Sequence, residues 1–316
     1  MFVFHPIIEG PRAGIPAGLS ARAEGAYLGL AVGDALGATT EFMTPREIRQ
    51  AHGVHRHLSG GGWLRLRRGQ VTDDTEMSLA LGQAILGAGG LDARAIADSF
   101  SAWMRGKPVD IGHTVRRGIV RYRQTGQTAV PLNDQDAGNG ACMRALPIAL
   151  CTLGLAADAV AEANQIQSHT THHSPLGDAG TLTVIRLVQT ALLGGDLAKL
   201  RLLAEALVVE EPRYRFDRQR LENPGGYIVE TLQAVFQSLF GTHDFETALI
   251  DVVNRGGDAD TTGAILGMVA GALYGGEAIP RRWLAALDPR IKESCREQAS
   301  ALLRITPKGR ELGWDR

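Results

Sequence analysis

The residues best suited to chemistry in this 316-residue chain form two acidic clusters far apart in the sequence. One is Thr72-Asp73-Asp74-Thr75-Glu76. The other is Gly256-Gly257-Asp258-Ala259-Asp260-Thr261-Thr262. Each stands just before an apolar helical run. Thr and Asp are favoured helix N-caps, and acids suit the positive end of the helix dipole. One cap, however, needs one such residue. Carboxylates that are adjacent, or separated by a single Ala, repel each other unless a cation joins them. Together the clusters supply four carboxylates and at least two hydroxyls. These are hard oxygen donors without a thiol, which suits Mg²⁺ or Mn²⁺ better than structural zinc. The ligand number would serve a pair of ions about 3.5–4 Å apart. The spacing does not fit an EF-hand loop, which needs acids at alternating positions and a Glu twelfth.

Several smaller features accompany the clusters. Asp110 follows Pro108-Val109 and reads, on spacing alone, as a loop residue or an N-cap. His169, His172 and His173 lie within five positions but lack an HExxH pattern. The His243-Asp244 dipeptide is too weak for a metal phosphohydrolase. Gly138-Asn139-Gly140 precedes a predicted helix, where backbone N–H groups can cradle a pyrophosphate. Tyr227, after Gly225-Gly226, is a candidate to stack on a base. Arg65, Arg67 and Arg68 form a basic loop just ahead of the first acidic cluster, suited to phosphate or to an acidic protein partner.

The elements that must position these groups read as helices. Helical patterning covers Ala21–Ala38, Thr75–Leu86, Asp92–Met104, Arg116–Arg123, Ala141–Leu153 and Ala156–Gln167. It resumes over Leu176–Leu193, Leu197–Val208, Ile228–Phe240, Phe245–Asn254, Thr261–Tyr274 and Ile291–Leu303. Loops are expected at His52–Gly69, Asn133–Gly140 and the Arg-rich Glu211–Gly226. Period-two alternation is scarce, so the expected fold is all-α. Residues 1–20, broken by His5-Pro6, Gly10-Pro11 and Ile15-Pro16, read as an N-terminal arm, and residues 21–316 as one large helical domain. No linker-like change of composition divides them.

Glycine is abundant, at 39 residues. Eight of these fall on two stripes of four-residue spacing, Gly25 to Gly37 and Gly263 to Gly275. Each costs a helix roughly 1 kcal/mol relative to Ala, so the stripes predict close backbone approach. The balance of 33 basic against 34 acidic residues disfavours a general nucleic-acid or anionic-membrane binder. Thr261–Gly276 is uncharged but short of the ~20 apolar residues a spanning helix needs. No signal peptide is read, and three dispersed cysteines suit a reducing cytoplasm.

Three segments in order, Gly29-Leu30-Ala31-Val32-Gly33-Asp34-Ala35-Leu36-Gly37, Thr72-Asp73-Asp74-Thr75 and Gly257-Asp258-Ala259-Asp260-Thr261-Thr262-Gly263, resemble the ADP-ribosylglycohydrolase family. The similarity spans about residues 20–305. Gly60-Gly61-Gly62-Trp63-Leu64-Arg65-Leu66, Arg105-Gly106-Lys107-Pro108-Val109-Asp110-Ile111-Gly112 and Gly138-Asn139-Gly140-Ala141 resemble its nitrogen-fixation branch. The resemblance implies an all-α fold with a central cleft and two Mn²⁺ (or Mg²⁺) ions. Thr72, Asp73, Asp74, Asp258, Asp260 and Thr261 would be the ligands. It implies hydrolysis of the N-glycosidic bond of ADP-ribosyl-arginine, with Asp110 in acid/base work, Glu41 as a second catalytic-site acid near the metals that can gate the site, and His172 contacting the ADP-ribose. His113 stands where the nearest relatives are expected to carry Asn, which leaves its role open. The implied partners are an ADP-ribosylated protein, dinitrogenase reductase, and a PII signal protein as regulator, with membrane attachment only through partners. Another linkage, such as ADP-ribosyl-serine, a small-molecule substrate, or a non-enzymatic ADP-ribose binder are the alternatives.

Overall fold

The computed structural model describes residues 18–134 and 137–306. Among them are fourteen α-helices and no strand. They are α1 Leu19–Gly37, α2 Pro45–His52, α3 Asp73–Ala88, α4 Ala93–Arg105, α5 His113–Thr125, α6 Leu146–Cys151 and α7 Ala157–Ser168. The chain continues with α8 Pro175–Leu192, α9 Leu197–Glu210, α10 Ile228–Gly241, α11 Phe245–Val253, α12 Ala259–Tyr274, α13 Arg281–Ala286 and α14 Pro289–Arg304. The all-α expectation holds. Most of the N-terminal arm lies outside the described residues, and Leu19 and Ser20 already belong to α1.

The centre of the molecule is the pair α1 and α12, packed antiparallel through the two glycine stripes. A Cβ added at Gly33 would stand 2.0 Å from the carbonyl oxygen of Gly263, and one at Gly267 would stand 2.0 Å from that of Gly29. Ala does not fit at either position. The backbones therefore meet without intervening side chains. Nearly every residue of both helices is buried, which suits helices that are apolar all round. Helices α3, α8, α10, α11 and α14 pack around this pair. The three cysteines, Cys142, Cys151 and Cys295, are buried free thiols.

Antiparallel pairing has a positional consequence. It sets the C-terminal end of α1, with Asp34 and then Glu41, beside the N-terminal end of α12, with Asp258 and Asp260. The N-terminus of α3 arrives at the same place and brings Asp73 and Asp74. Two helix N-termini thus face the acids with their positive dipole ends.

Some elements differ from the sequence-based expectation. The helix expected over Ala141–Leu153 is only Leu146–Cys151, because Pro147 suits a first turn and not an interior. Residues 141–145 instead form turns, in which the Asn139 carbonyl accepts from the N–H groups of Cys142 and Met143. The Gly138–Gly140 segment therefore does not run directly into a helix N-terminus. Helix α2 is an addition. Its signal was present in Thr44-Pro45-Arg46-Glu47, a capping box closed by the Glu47 N–H to Thr44 Oγ1 at 3.3 Å and the Thr44 N–H to Glu47 Oε2 at 2.7 Å.

Candidate active site

The capping account of the acidic clusters is testable from geometry, and it fails where it matters. Thr72 sits at the N-cap of α3 but makes no side-chain cap bond. Its hydroxyl donates to Asp34 Oδ1 at 2.9 Å and lies 3.3 Å from Asp74 Oδ2 and 3.4 Å from Asp260 Oδ2. Asp258 sits at the N-cap of α12 and also makes no cap bond. Its Oδ2 accepts from Asn139 Nδ2 at 2.6 Å instead. Both side chains are turned from the capping role toward one another's neighbourhood.

The result is a nest of carboxyl groups at the floor of a cleft of about 500 Å³. Asp73, Asp74, Asp260 and Glu41 are buried, and Asp258 is partly so. Oxygens of Glu41, Asp258 and Asp260 lie within 4.8 Å of one another, close enough to hold one cation. Asp74 Oδ1 is buried with no hydrogen-bond partner among the described residues. An orphaned buried carboxylate oxygen is costly, and a bound cation is the natural partner for it. The donor set is entirely oxygen, so the residues fit hard divalent ions.

Without a cation, burial and mutual repulsion make these acids harder to ionise. Burial, reinforced by Asp110 and Asp34, pushes Asp73 up to about 8. Burial, reinforced by Asp258, Asp110 and Asp73 and opposed by the Trp63 hydrogen bond, pushes Glu41 up to about 8. Burial raises Asp74, Asp258 and Asp260 in the same direction.

Glu41 is held in place rather than free. Its Oε2 accepts from Trp63 Nε1 at 2.6 Å, and the Trp63 ring leans on Phe42 with centroids 5.3 Å apart. Phe42 carries a left-handed backbone, φ 60°, which is uncommon for a bulky residue and clusters at functional sites. The Gly60–Leu66 segment closes on itself through Gly61 and Leu66 and carries Trp63 to the cleft mouth. Arg65, Arg67 and Arg68 are exposed and stand outside the cleft lining.

Asp110 does not cap α5; Gly112 occupies that position. Asp110 is half-buried on the cleft wall, and its Oδ1 accepts from the Ile111 N–H at 2.8 Å. Its charge is felt by Glu41, Asp73 and Asp258. His113 begins α5 at the cleft edge. On the other wall are Gly138, Asn139 and Gly140, together with the buried His172. The Asn139 N–H is taken by the Gly226 carbonyl at 3.0 Å, so that donor is not open to a pyrophosphate. Tyr227 is 40% exposed and outside the cleft lining, with its backbone bridged to Gly138. His169 and His173 are structural. His169 Nε2 meets Asp178 Oδ2 at 2.8 Å, the two rings stack at 3.7 Å, and His173 Nδ1 donates to the Val130 carbonyl at 2.8 Å.

One buried acid beside the cleft is given no role of its own by the sequence. Asp34 is fully buried on α1 and accepts from the Thr72 N–H, the Thr72 hydroxyl, and the N–H and hydroxyl of Thr75. It fastens the start of α3 to α1. Its signal was a single acid within the otherwise uncharged, glycine-striped stretch Gly25–Gly37.

A single helical domain with a cleft floored by carboxyls from two helix starts defines the class. The ADP-ribosylglycohydrolase family model matches residues 16–311, and the chain belongs to this family. It is 49% identical to the ADP-ribosyl-dinitrogen reductase glycohydrolase of Rhodospirillum rubrum, over 90% of this chain and 96% of that protein. It is 31% identical to the ADP-ribosylarginine hydrolase Tri1 of Serratia proteamaculans, over 84% of this chain and 75% of that one. Among solved structures, an ADP-ribosylglycohydrolase-related protein complex superposes with a TM-score of 0.81 at 34% identity, covering 91% of this chain and 99% of that chain.

Proposed function

We propose that this protein is a divalent-metal-dependent hydrolase that cleaves the N-glycosidic bond between ADP-ribose and an arginine side chain of a protein. The observation that carries the proposal is the cluster of acids at the starts of α3 and α12, where the N-cap residues Thr72 and Asp258 make no cap bond, beneath a wall that bears Asp110. The names of the R. rubrum and S. proteamaculans relatives support the arginine linkage, and the first supports dinitrogenase reductase as the modified protein. A PII-type signal protein is the proposed regulator. Among the described residues no helix is long and apolar enough to cross a membrane.

Thr72, Asp73, Asp74, Asp258, Asp260 and Thr261 are the residues that would hold two ions, Mn²⁺ or Mg²⁺. When bound, these supply positive charge that orients ribose hydroxyls and water at the cleft floor. The chain's own groups account for the proton movements. The Asp110 carboxylate takes a proton from the attacking water as its oxygen bonds to the ribose carbon, and the C–N bond to the guanidine breaks. Asp110 then returns the proton to the leaving nitrogen. Glu41, tethered by Trp63, lines the floor beside Asp258 and Asp260. His172 and Gly138–Gly140 form the wall against which the ADP-ribosyl group lies.

The second reading, a serine-linked or small-molecule substrate, shares the whole floor and differs only in the leaving group. A panel of arginine-linked and serine-linked ADP-ribosyl peptides separates them. Release of ADP-ribose from the arginine-linked peptide alone is expected, and preferential release from serine would overturn the assignment.

A further inference from the structure

Arg144 is a cation removed from water. It is fully buried, and its guanidinium stands 4.5 Å over the Phe100 ring. Its Nε donates to Gln167 Oε1 at 3.0 Å, and its Nη2 donates to the Gln167 carbonyl at 3.0 Å and to Thr171 Oγ1 at 2.7 Å. No carboxylate pairs with it among the described residues. Burying a charge costs several kcal/mol, and a well-packed apolar residue serves a purely structural place as well or better.

The bond to Thr171 has a directional consequence. A guanidinium only donates, so the Thr171 oxygen accepts from it. The same oxygen lies 2.8 Å from His172 Nδ1. Thr171 is buried, and its hydroxyl proton has no other acceptor among the described residues. Leaving that buried proton unpartnered would be unfavourable. The hydroxyl therefore donates to Nδ1, and the neutral imidazole carries its own proton on Nε2. Burial, and then the Arg144 and Arg117 charges, push the ring's pKa down to about 3, so it stays neutral. On the other side of the ring, Nε2 is packed between two glycines: a Cβ at Gly138 or at Gly140 would lie 3.1 Å from it. His172 lines the cleft, and no protein group accepts from Nε2 among the described residues.

We infer that Arg144 is a positioning residue which, through the Thr171 hydroxyl, fixes His172 as the Nε2–H tautomer and makes it a dedicated hydrogen-bond donor to an oxygen of the ADP-ribosyl group. The identity of the acceptor rests on the proposed function, whereas the tautomer does not.

Two measurements on the full-length protein test this. In ¹⁵N-histidine-labelled protein, the His172 proton is expected on Nε2, with the Nδ1 resonance shifted as a hydrogen-bond acceptor. Thr171→Val removes that shift and Thr171→Ser keeps it. A proton on Nδ1 in the unsubstituted protein overturns the inference, and this arm needs neither ligand nor a folded variant. The second measurement is ADP-ribose affinity by calorimetry. Thr171→Val is expected to weaken binding ~10-fold, Thr171→Ser to restore it, and Thr171→Val to have less than a ~2-fold effect when His172→Gln is already present. An equal loss in both backgrounds contradicts action through His172. Absence of ADP-ribose binding by every form, the unsubstituted one included, would overturn the proposed function while the spectra still decide the tautomer.

Discussion

Asp34 and Thr72 are joined twice: the Thr72 N–H donates to Asp34 at 3.0 Å, and the Thr72 hydroxyl at 2.9 Å. This relationship ties the central helix α1 to the start of α3 and aims a candidate ligand at the cleft floor. Asp34→Asn would turn an amide N–H₂ toward groups that already donate. The expected cost is ~2–3 kcal/mol in urea denaturation of the chelated protein. Mn²⁺ affinity by calorimetry is expected to fall ~10-fold or more, as for the loss of other groups that orient ligands. Unchanged values in both measurements would remove Asp34 from the account.

The glycine stripes make a contrast available within the same residue type. Gly33→Ala would place a Cβ 2.0 Å from a backbone oxygen that cannot move away alone. A loss of ~3 kcal/mol or more is expected, with reduced metal binding as α1 and α12 separate. Gly87→Ala lies in α3 with nothing within 4 Å of the added Cβ, so it should stabilise by ~0.5–1 kcal/mol. Denaturant midpoints check both signs.

The acid cluster predicts opposite pH behaviour with and without metal. Glu41 and Asp73 hold their protons up to about 8 in the folded apo chain, but titrate near ~4 when unfolded. Between these values the folded state binds more protons, so apo stability falls as pH rises from about 4 to about 8. A bound cation displaces those protons, which makes metal affinity rise over the same range. The melting temperature in chelator should drop across this window, and the gap to the Mn²⁺-loaded protein should widen. Calorimetry near pH ~6.5 in two buffers of different ionisation enthalpy should register proton release. Identical enthalpies in both buffers would contradict the prediction.

Asp110→Asn should separate chemistry from binding. The side chain keeps its size but cannot take a proton from water. Turnover of ADP-ribosyl-arginine is expected to fall ~10²- to 10⁴-fold, while ADP-ribose affinity stays within about two-fold because the side chain keeps its shape. Retained turnover would assign the acid/base role elsewhere.

Much of this architecture is legible in the chain because its strongest signals are local. Apolar periodicity places α9, α10 and α11 to within two residues, and four-residue glycine spacing identifies the helices that meet at the centre. Asp73, Asp74, Asp258 and Asp260 stand out because two carboxylates exceed what one cap can use. The features that escape depend on contacts across the fold. Asp34 acts on residues 38 and 41 positions away. Arg144 looks like one more surface cation until its burial is seen. The Arg-rich stretch 211–226 reads as a basic loop, yet Arg213, Arg215 and Arg220 are paired with Glu211, Asp217, Glu222 and Asp251. Most of its charge is balanced within the loop and by Asp251 of α11.

The central claim, that this cleft uses divalent metal to release ADP-ribose from arginine, is tested most directly by following free ADP-ribose from ADP-ribosyl-arginine in Mn²⁺, after chelation, and after Mn²⁺ is restored. The account predicts release, then its loss, then its recovery. Undiminished release in chelator, or no release with Mn²⁺ present, would contradict it.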